Sequence, residues 1–319
     1  MPNAYRVIPI FIPQKACPHR CTYCNQFAIA GQGHIPTPAE ADEIIRQHLD
    51  TIKQDCHKRI AFFGGSFTGM PIAEQSEYLD VAQRYWQQGI VQGIQLSTRP
   101  DYISEPILDN LKRHGVSLIE LGAQSLDDKI LEVVQRGHTA QQVEEASKMI
   151  REHGFELGLQ MMIGLPGDTK EKALRTAERI VALGARYIRI YPTLVVQDTP
   201  LAKDYATGNY KPLSLQEAID WCKELYKLFT SHNVTILRMG LHPSEGLLDG
   251  SDYIAGPFHV SFKELVLTAL WHDRILQELD GDASRTATIH VPTAEINYAV
   301  GYRCANKKAF PNVIFIHER

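Results

Sequence analysis

Apolar runs of strand length alternate with capped, amphipathic segments along most of this chain, and that alternation limits the fold more than any single residue does. The runs are "YRVIPIFI", "RIAFFGG", "GIQLST", "SLIELG", "ELGLQMMIG" and "RYIRIYP". Between them lie helix signals. Thr37 as N-cap, Pro38 at the first helical position and Glu40 closing a capping box open "TPAEADEIIRQHLDTI". Thr139 with Gln142 and Ser214 with Glu217 repeat the device. Six strand–helix units, ending near residue 232, predict a parallel α/β sheet. Right-handed crossovers wind such a sheet into a doubly wound layer or a barrel, and periodicity alone leaves that choice open. Both folds place ligands at the C-terminal ends of strands, which is where the polar and glycine-rich motifs fall.

Beyond residue 232, "VTILRMG" reads as a further strand, followed by a loop. An amphipathic helix from about Phe262 to Leu279, a strand near "TATIHV", a helix near "TAEINYAVGY" and a last strand "NVIFIH" complete the chain. This pattern predicts a main unit over residues 1–232 and an extension packed on it over 233–319. A formal net charge of −4 over 319 residues gives no global field for nucleic acid or membrane, and leaves room for a local basic patch. No run approaches the roughly 18–20 apolar residues of a membrane span. The opening "MPNAYRVIPIFIPQ" has a proline inside its short apolar run, unlike a signal segment. The expectation is a cytoplasmic protein with no membrane association, in which clustered thiols mean metal or catalysis.

Cys17, Cys21 and Cys24 supply the cluster, spaced C-x3-C-x2-C directly after the first strand-like run. The other thiols, Cys56, Cys222 and Cys304, are far apart in sequence. Chance cysteines in a loop are one reading. A zinc site is a second, but it wants four closed ligands, and the nearby His19 sits inside the tight loop. The spacing favours a third, an iron–sulfur cluster on three thiolates, which leaves one iron of a four-iron cluster open.

With Tyr23 before the third cysteine, this spacing resembles the C-x3-C-x-aromatic-C signature of the radical S-adenosylmethionine superfamily. "FFGGSFTGMP", "STRPDYI", "IELGAQSLDDKILEVVQRGHT", "MMIGLPGDT" and "RIYPTLVVQDTPLAKDYATGNYKPLS" resemble the radical domain of the Elongator catalytic subunit and its bacterial relatives. Oxygen-independent coproporphyrinogen oxidase is a more distant likeness. The resemblance spans roughly residues 5 to 240. It implies a partial (β/α)6 barrel with a C-terminal α/β extension and a 4Fe-4S cluster on Cys17, Cys21 and Cys24. S-adenosylmethionine at the open iron would then be cleaved reductively to a 5′-deoxyadenosyl radical.

The resemblance also implies residue roles. Gly64 and Gly65 would present carbonyls to the methionine ammonium, with Ser66 standing where many members have Glu or Thr. Ser97, Thr98 and Arg99 would border the nucleoside, Glu120 and Arg136 would hold the amino-acid end, and Gln124 the ribose hydroxyls. Gln160 stands where some relatives carry Asp facing the ribose, and Ile163 with Gly164 would pack on adenine. Taken alone, the glycine pair also fits a tight turn, Arg136 beside Gly137 fits an exposed helix-end charge, and Ile163 fits a buried strand end. A polar Glu120, Gln124 and Ser125 interrupting an apolar run is harder to read as purely structural, because buried polar groups need partners. Arg238 and His242 follow a late strand and could reach the barrel mouth.

By the same resemblance, the chain modifies tRNA or nucleotides and takes electrons from a flavodoxin or ferredoxin. It ends without the acetyltransferase domain of the Elongator-like enzymes, so it is not expected to complete their reaction alone. A radical enzyme of a tetrapyrrole or other small-molecule cofactor pathway is the alternative, and a non-catalytic iron–sulfur binding protein is the rival from a different class. An RNA substrate needs a basic surface, for which Lys203, Lys211, Arg303, Lys307 and Lys308 are the candidates.

Overall fold

The computed structural model describes residues 6–18, 20–53 and 56–318. Strand β1 (Arg6–Phe11) leads through the cysteine loop and the short α1 (Gln26–Ala30) to α2 (Pro38–Thr51). Then come β2 (Lys58–Phe63), α3 (Ile72–Gln87), β3 (Gly93–Thr98), α4 (Glu105–Arg113) and β4 (Val116–Gln124). Two helices, α5 (Asp128–Val133) and α6 (Ala140–Glu152), lie before β5 (Glu156–Ile163), and α7 (Lys170–Ala182) before β6 (Tyr187–Pro192). An excursion of β7 (Val195–Val196) and α8 (Pro200–Ala206) precedes α9 (Leu215–Ser231) and β8 (Thr235–Met239). The rest is α10 (Glu245–Leu248), β9 (Tyr253–Ala255), α11 (Phe262–Glu278), β10 (Ala287–Pro292), α12 (Ile296–Val300), α13 (Ala305–Ala309) and β11 (Val313–Glu318). All three expected capping boxes form, opening α2, α6 and α9.

Among the described residues, seven strands join one parallel sheet in the order β1-β2-β3-β4-β5-β6-β8. A doubly wound sheet reverses its order at a switch point. Here the order climbs without reversal, so the sheet winds one way and forms a half-barrel surrounded by helices. This resolves the choice that periodicity left open. Thr235–Met239, just past the expected boundary at residue 232, joins the same sheet as its seventh strand and pairs with β6. The β7–α8 excursion interrupts the strand–helix rhythm just before it, but α9 still serves as an ordinary crossover helix.

The main core fills the space between sheet and helices, with Ile8, Ile60, Leu96, Leu121, Ile163, Ile190 and Phe229 all essentially inaccessible. Each such side chain contributes about 1.5–3 kcal/mol on removal from water. A smaller core lies under the parallel pair β10–β11, where Trp271, Ile275 and Leu279 meet Ile289, Val291, Phe310 and Val313. Helix α11 belongs to both. Its first turns place Phe262 and Val266 in the main core, and its later turns place Trp271 and Ile275 in the small one. No helix among the described residues is long and apolar enough to cross a membrane.

Candidate functional site

The cysteine loop leaves the C-terminal end of β1 and is clamped to the end of β2. Ile12 still donates to the Phe63 carbonyl at 2.7 Å, after which the chain turns. The Gln26 side-chain carbonyl accepts from the Gln14 and Gly65 amides, both at 2.5 Å, and the Ser66 amide donates to the Lys15 carbonyl at 2.9 Å. Such a dock requires glycine. Gly65 has φ +57°, and a Cβ there would stand 2.4 Å from the Lys15 oxygen and 2.8 Å from that of Ile12. Gly64 has φ +80° and faces the Ile12 backbone at 3.3 Å. The glycine pair therefore admits the cysteine loop itself, a demand that exists before any ligand binds. His19 lies outside the described residues.

Within the loop, Cys17 is half-buried and Cys21 buried. Cys21 and Tyr23 pack with Ile130, Val134, Leu165, Val195, Leu201 and Tyr210, so α5 and the β7–α8 excursion cover Cys21 and partly cover Cys24. Burial raises the pKa of Cys17 and pushes that of Cys24 up to about 12, with the neighbouring Cys21 and Cys17 adding to the latter. Arg136 is buried rather than an exposed helix-end charge. Its Nη1 points at the Cys21 sulfur at 3.5 Å, its Nη2 donates to the Gly122 carbonyl at 2.8 Å, and its Nε is buried with no partner. Burial opposes the Arg136 charge, but the facing Tyr23 and Cys21 outweigh it and raise its pKa.

These residues fit a thiolate-held cluster. Three thiols share one electrostatic neighbourhood, and holding them as thiolates in that buried place needs added positive charge. Buried polar atoms without a partner, Gln14 Nε2 and Thr22 Oγ1 in the loop and Arg136 Nε against it, mark the same place. No three His, Cys, Asp or Glu side chains among the described residues converge closely enough to hold a single metal ion. A four-iron cluster is wider than one ion, so its ligands need not meet at a point.

A second group lies inside the half-barrel. Glu120 is fully buried, and its carboxylate accepts from Arg189 Nε at 2.5 Å and Nη2 at 3.1 Å, and from Gln95 Nε2 at 3.1 Å. Gln160 Nε2 bridges Ser97 Oγ at 2.7 Å and Glu120 Oε2 at 3.3 Å. Glu120 on β4 meets Arg189 on β6 across β5 because Gly158 lies opposite it: a Cβ at Gly158 would stand 2.9 Å from Glu120 Cγ. Arg189 also lies 4.7 Å over the Phe63 ring. The carboxylate thus pairs with Arg189, and no hydrogen bond joins it to Arg136. Sequence reasoning missed Arg189, although a charged residue inside "RYIRIYP" is the same signal that singled out Glu120.

The remaining candidates flank these groups. Ser66, Thr68 and Thr98 form a buried hydroxyl cluster, and Arg99, 1% exposed, is held bidentately by Asp101 at 2.9 and 2.8 Å. Gln124 follows a register shift in β4 with φ +64°, a conformation that costs a non-glycine residue on the order of 1–3 kcal/mol. The Gly122 carbonyl beside it accepts from Arg136 and faces His138 Nε2 at 3.3 Å. Burial and the adjoining Arg136 lower the His138 pKa to about 4. Ile163 is a buried strand end whose carbonyl accepts from Thr193, and the Gly164 carbonyl accepts from Tyr210 Oη at 2.6 Å. Arg238 stands in register with Arg189 but donates to the Gly240 and Leu241 carbonyls, and His242 is exposed. Lys203, Lys211, Arg303, Lys307 and Lys308 are exposed.

The sequence model of the radical S-adenosylmethionine superfamily matches residues 11–180, more than half of the chain. The chain belongs to that superfamily. A second model, the radical SAM C-terminal domain, matches residues 185–272. Radical SAM enzymes use a 4Fe-4S cluster and S-adenosylmethionine. Among curated proteins, the chain is 29% identical over 243 residues to a tRNA uridine(34) acetyltransferase of Dehalococcoides mccartyi, covering 65% of this chain and 53% of that protein. It is 26% identical over 259 residues to Elongator complex protein 3 of Saccharomyces cerevisiae, covering 67% of this chain and 46% of that protein. The chain thus spans about half the length of these curated relatives. Among solved structures, Elp3 of the archaeon Methanocaldococcus infernus, lacking residues 1–46, aligns with a TM-score of 0.65 at 19% identity, over 86% of this chain and 63% of that one. This last likeness concerns the fold.

Proposed function

We propose that this radical SAM enzyme holds its 4Fe-4S cluster on Cys17, Cys21 and Cys24 and acts on RNA, in the class of tRNA modification. The observation that carries the reading is the clamped loop: three thiols, Cys21 buried and Cys17 and Cys24 half-buried, with a buried guanidinium beside Cys21, fixed to the strand ends through Gln26 and Gly65. When bound, the cluster supplies the electron that cleaves S-adenosylmethionine to a 5′-deoxyadenosyl radical able to abstract hydrogen. The protein supplies position, electrostatics and exclusion of water. Tyr23 and the residues of β7 and α8 keep solvent from Cys21. Arg136 places its charge beside the Cys21 sulfur and leaves Nε as a free donor for an anionic ligand group. That one open donor is what Arg136 brings to the amino-acid end that the family resemblance assigned to it. Glu120 and Gln160, fixed by Arg189 and Ser97, present a rigid polar wall to the barrel interior, with Gly64, Gly65, Ser97, Arg99, Gln124 and Ile163 around the same mouth.

The RNA substrate is supported by the relatives' printed activity and by the exposed cations of the extension. An external low-potential donor, a flavodoxin or ferredoxin, completes the reading. The test is anaerobic reconstitution with iron and sulfide. The wild-type chain is expected to bind one four-iron cluster, bind S-adenosylmethionine and release 5′-deoxyadenosine with dithionite. Replacing Cys17, Cys21 and Cys24 together by Ala should abolish all three. Retention of iron and visible absorbance by that variant would overturn the ligand assignment.

A further inference from the structure

A cleft of about 470 Å³ opens where β8, the last strand of the sheet, meets the extension. Its volume falls within the range of small-ligand sites. Arg238 of β8, His259, Lys263 and Glu264 at the start of α11, and Asn297 with Tyr298 around α12 form its walls. The charge balance is lopsided, with two permanent cations and one histidine against a single carboxylate.

Lys263 is half-buried, and no ion pair or hydrogen bond holds its ammonium among the described residues. Burial pushes its pKa downward. Taking an ammonium out of water is costly, and an anion in the cleft would offset that cost. Inward, Arg238 stands in register with Arg189, so the cleft borders the polar wall of the barrel. Outward, the His259 ring meets Tyr302 edge-on at 5.2 Å, and the Arg303 guanidinium lies 5.4 Å from the centre of that tyrosine ring. Arg303, Lys307 and Lys308 then carry positive charge onto the exposed surface. Cations with interleaved aromatic rings, running from surface to barrel, suit a nucleic-acid strand: the cations meet phosphates and the rings meet bases.

We propose that this cleft binds a phosphate of the RNA substrate through Lys263 and Arg238, and seats a neighbouring base against Tyr298 and Asn297. The inference deepens the RNA reading above and rests on it.

The experiment is filter binding of bulk tRNA to the cluster-loaded full-length chain over a series of salt concentrations, with uridine monophosphate as a separate ligand. Lys263→Met should weaken tRNA binding about five- to tenfold and reduce the slope of log affinity against log salt by about one. Lys263→Arg, which keeps the charge, should restore most of both. Lys148→Met, at an exposed site on α6, should change neither. If the wild-type chain binds no tRNA at low salt, the RNA reading falls and this proposal with it. If it binds tRNA and Lys263→Met leaves affinity and slope unchanged, the RNA reading stands and the cleft assignment is wrong. If uridine monophosphate binds in a Lys263-dependent way while tRNA does not, the occupant is a free nucleotide and the proposal as stated fails.

Discussion

Gly65 shows how one residue can answer to packing and to chemistry together. Its φ of +57° and the 2.4 Å gap to the Lys15 oxygen leave no room for a methyl group. Gly65→Ala is expected to destabilise the metal-free protein by about 2–4 kcal/mol, from a strained backbone plus a displaced cysteine loop. Urea denaturation without cluster or cofactor measures it. Unchanged stability there, with S-adenosylmethionine binding lost, would return the glycine to ligand approach alone. His138 makes a prediction of opposite character. Its pKa is about 4 in the fold against about 6.5 in an unfolded chain, because burial and Arg136 keep the ring neutral. The unfolded state therefore takes up the proton first as pH falls. Stability contributed by the neutral ring is complete above pH ~6.5 and drains away towards pH ~4, by at most about 3 kcal/mol. Denaturation midpoints of wild type and His138→Asn should diverge above that window and converge at its acid end.

At the scale of elements, the polar wall depends on four strands together. Glu120 comes from β4 and Arg189 from β6, β3 adds Gln95 and Ser97, and β5 adds Gln160 together with an absence, the missing side chain of Gly158. Arg189→Met should cost about 3–5 kcal/mol by leaving a buried carboxylate unpaired. Adding Glu120→Gln should recover part of that loss, and a double-mutant cycle by chemical denaturation gives the coupling. Additive effects would show that the pair does not act as a unit. This arrangement also marks where sequence reasoning stopped. Cys17, Cys21 and Cys24 declare themselves by spacing, and Glu120 by interrupting an apolar run. The contact between Glu120 and Arg189, 69 positions apart, exists only once β4, β5 and β6 lie in register. The strands themselves were readable because apolar runs and capping boxes are local. That β8 closes the same sheet was not, because the interposed β7–α8 excursion breaks the local rhythm.

For the molecule as a whole, α11 joins the two cores, and this governs how the chain comes apart. Ile275→Ala, in the small core, removes a side chain with no exposed surface and should cost about 2–5 kcal/mol. Because Phe262 and Val266 on the same helix anchor the barrel, hydrogen exchange in β6 and β8 should accelerate along with that in β10 and β11. Acceleration confined to β10 and β11 would make the extension an independent folding unit. The cover over the thiols has a further consequence, in time. Leu201, whose amide donates to the Thr22 carbonyl and whose side chain packs beside Cys21, follows Cys24 by 177 residues (201 − 24). At about 5–20 residues per second, a ribosome takes roughly 9–35 s to deliver that cover after the last cysteine has been made. Throughout that interval the nascent loop lacks this cover, so iron and oxidant alike meet a Cys21 thiol more open than it is in the finished fold.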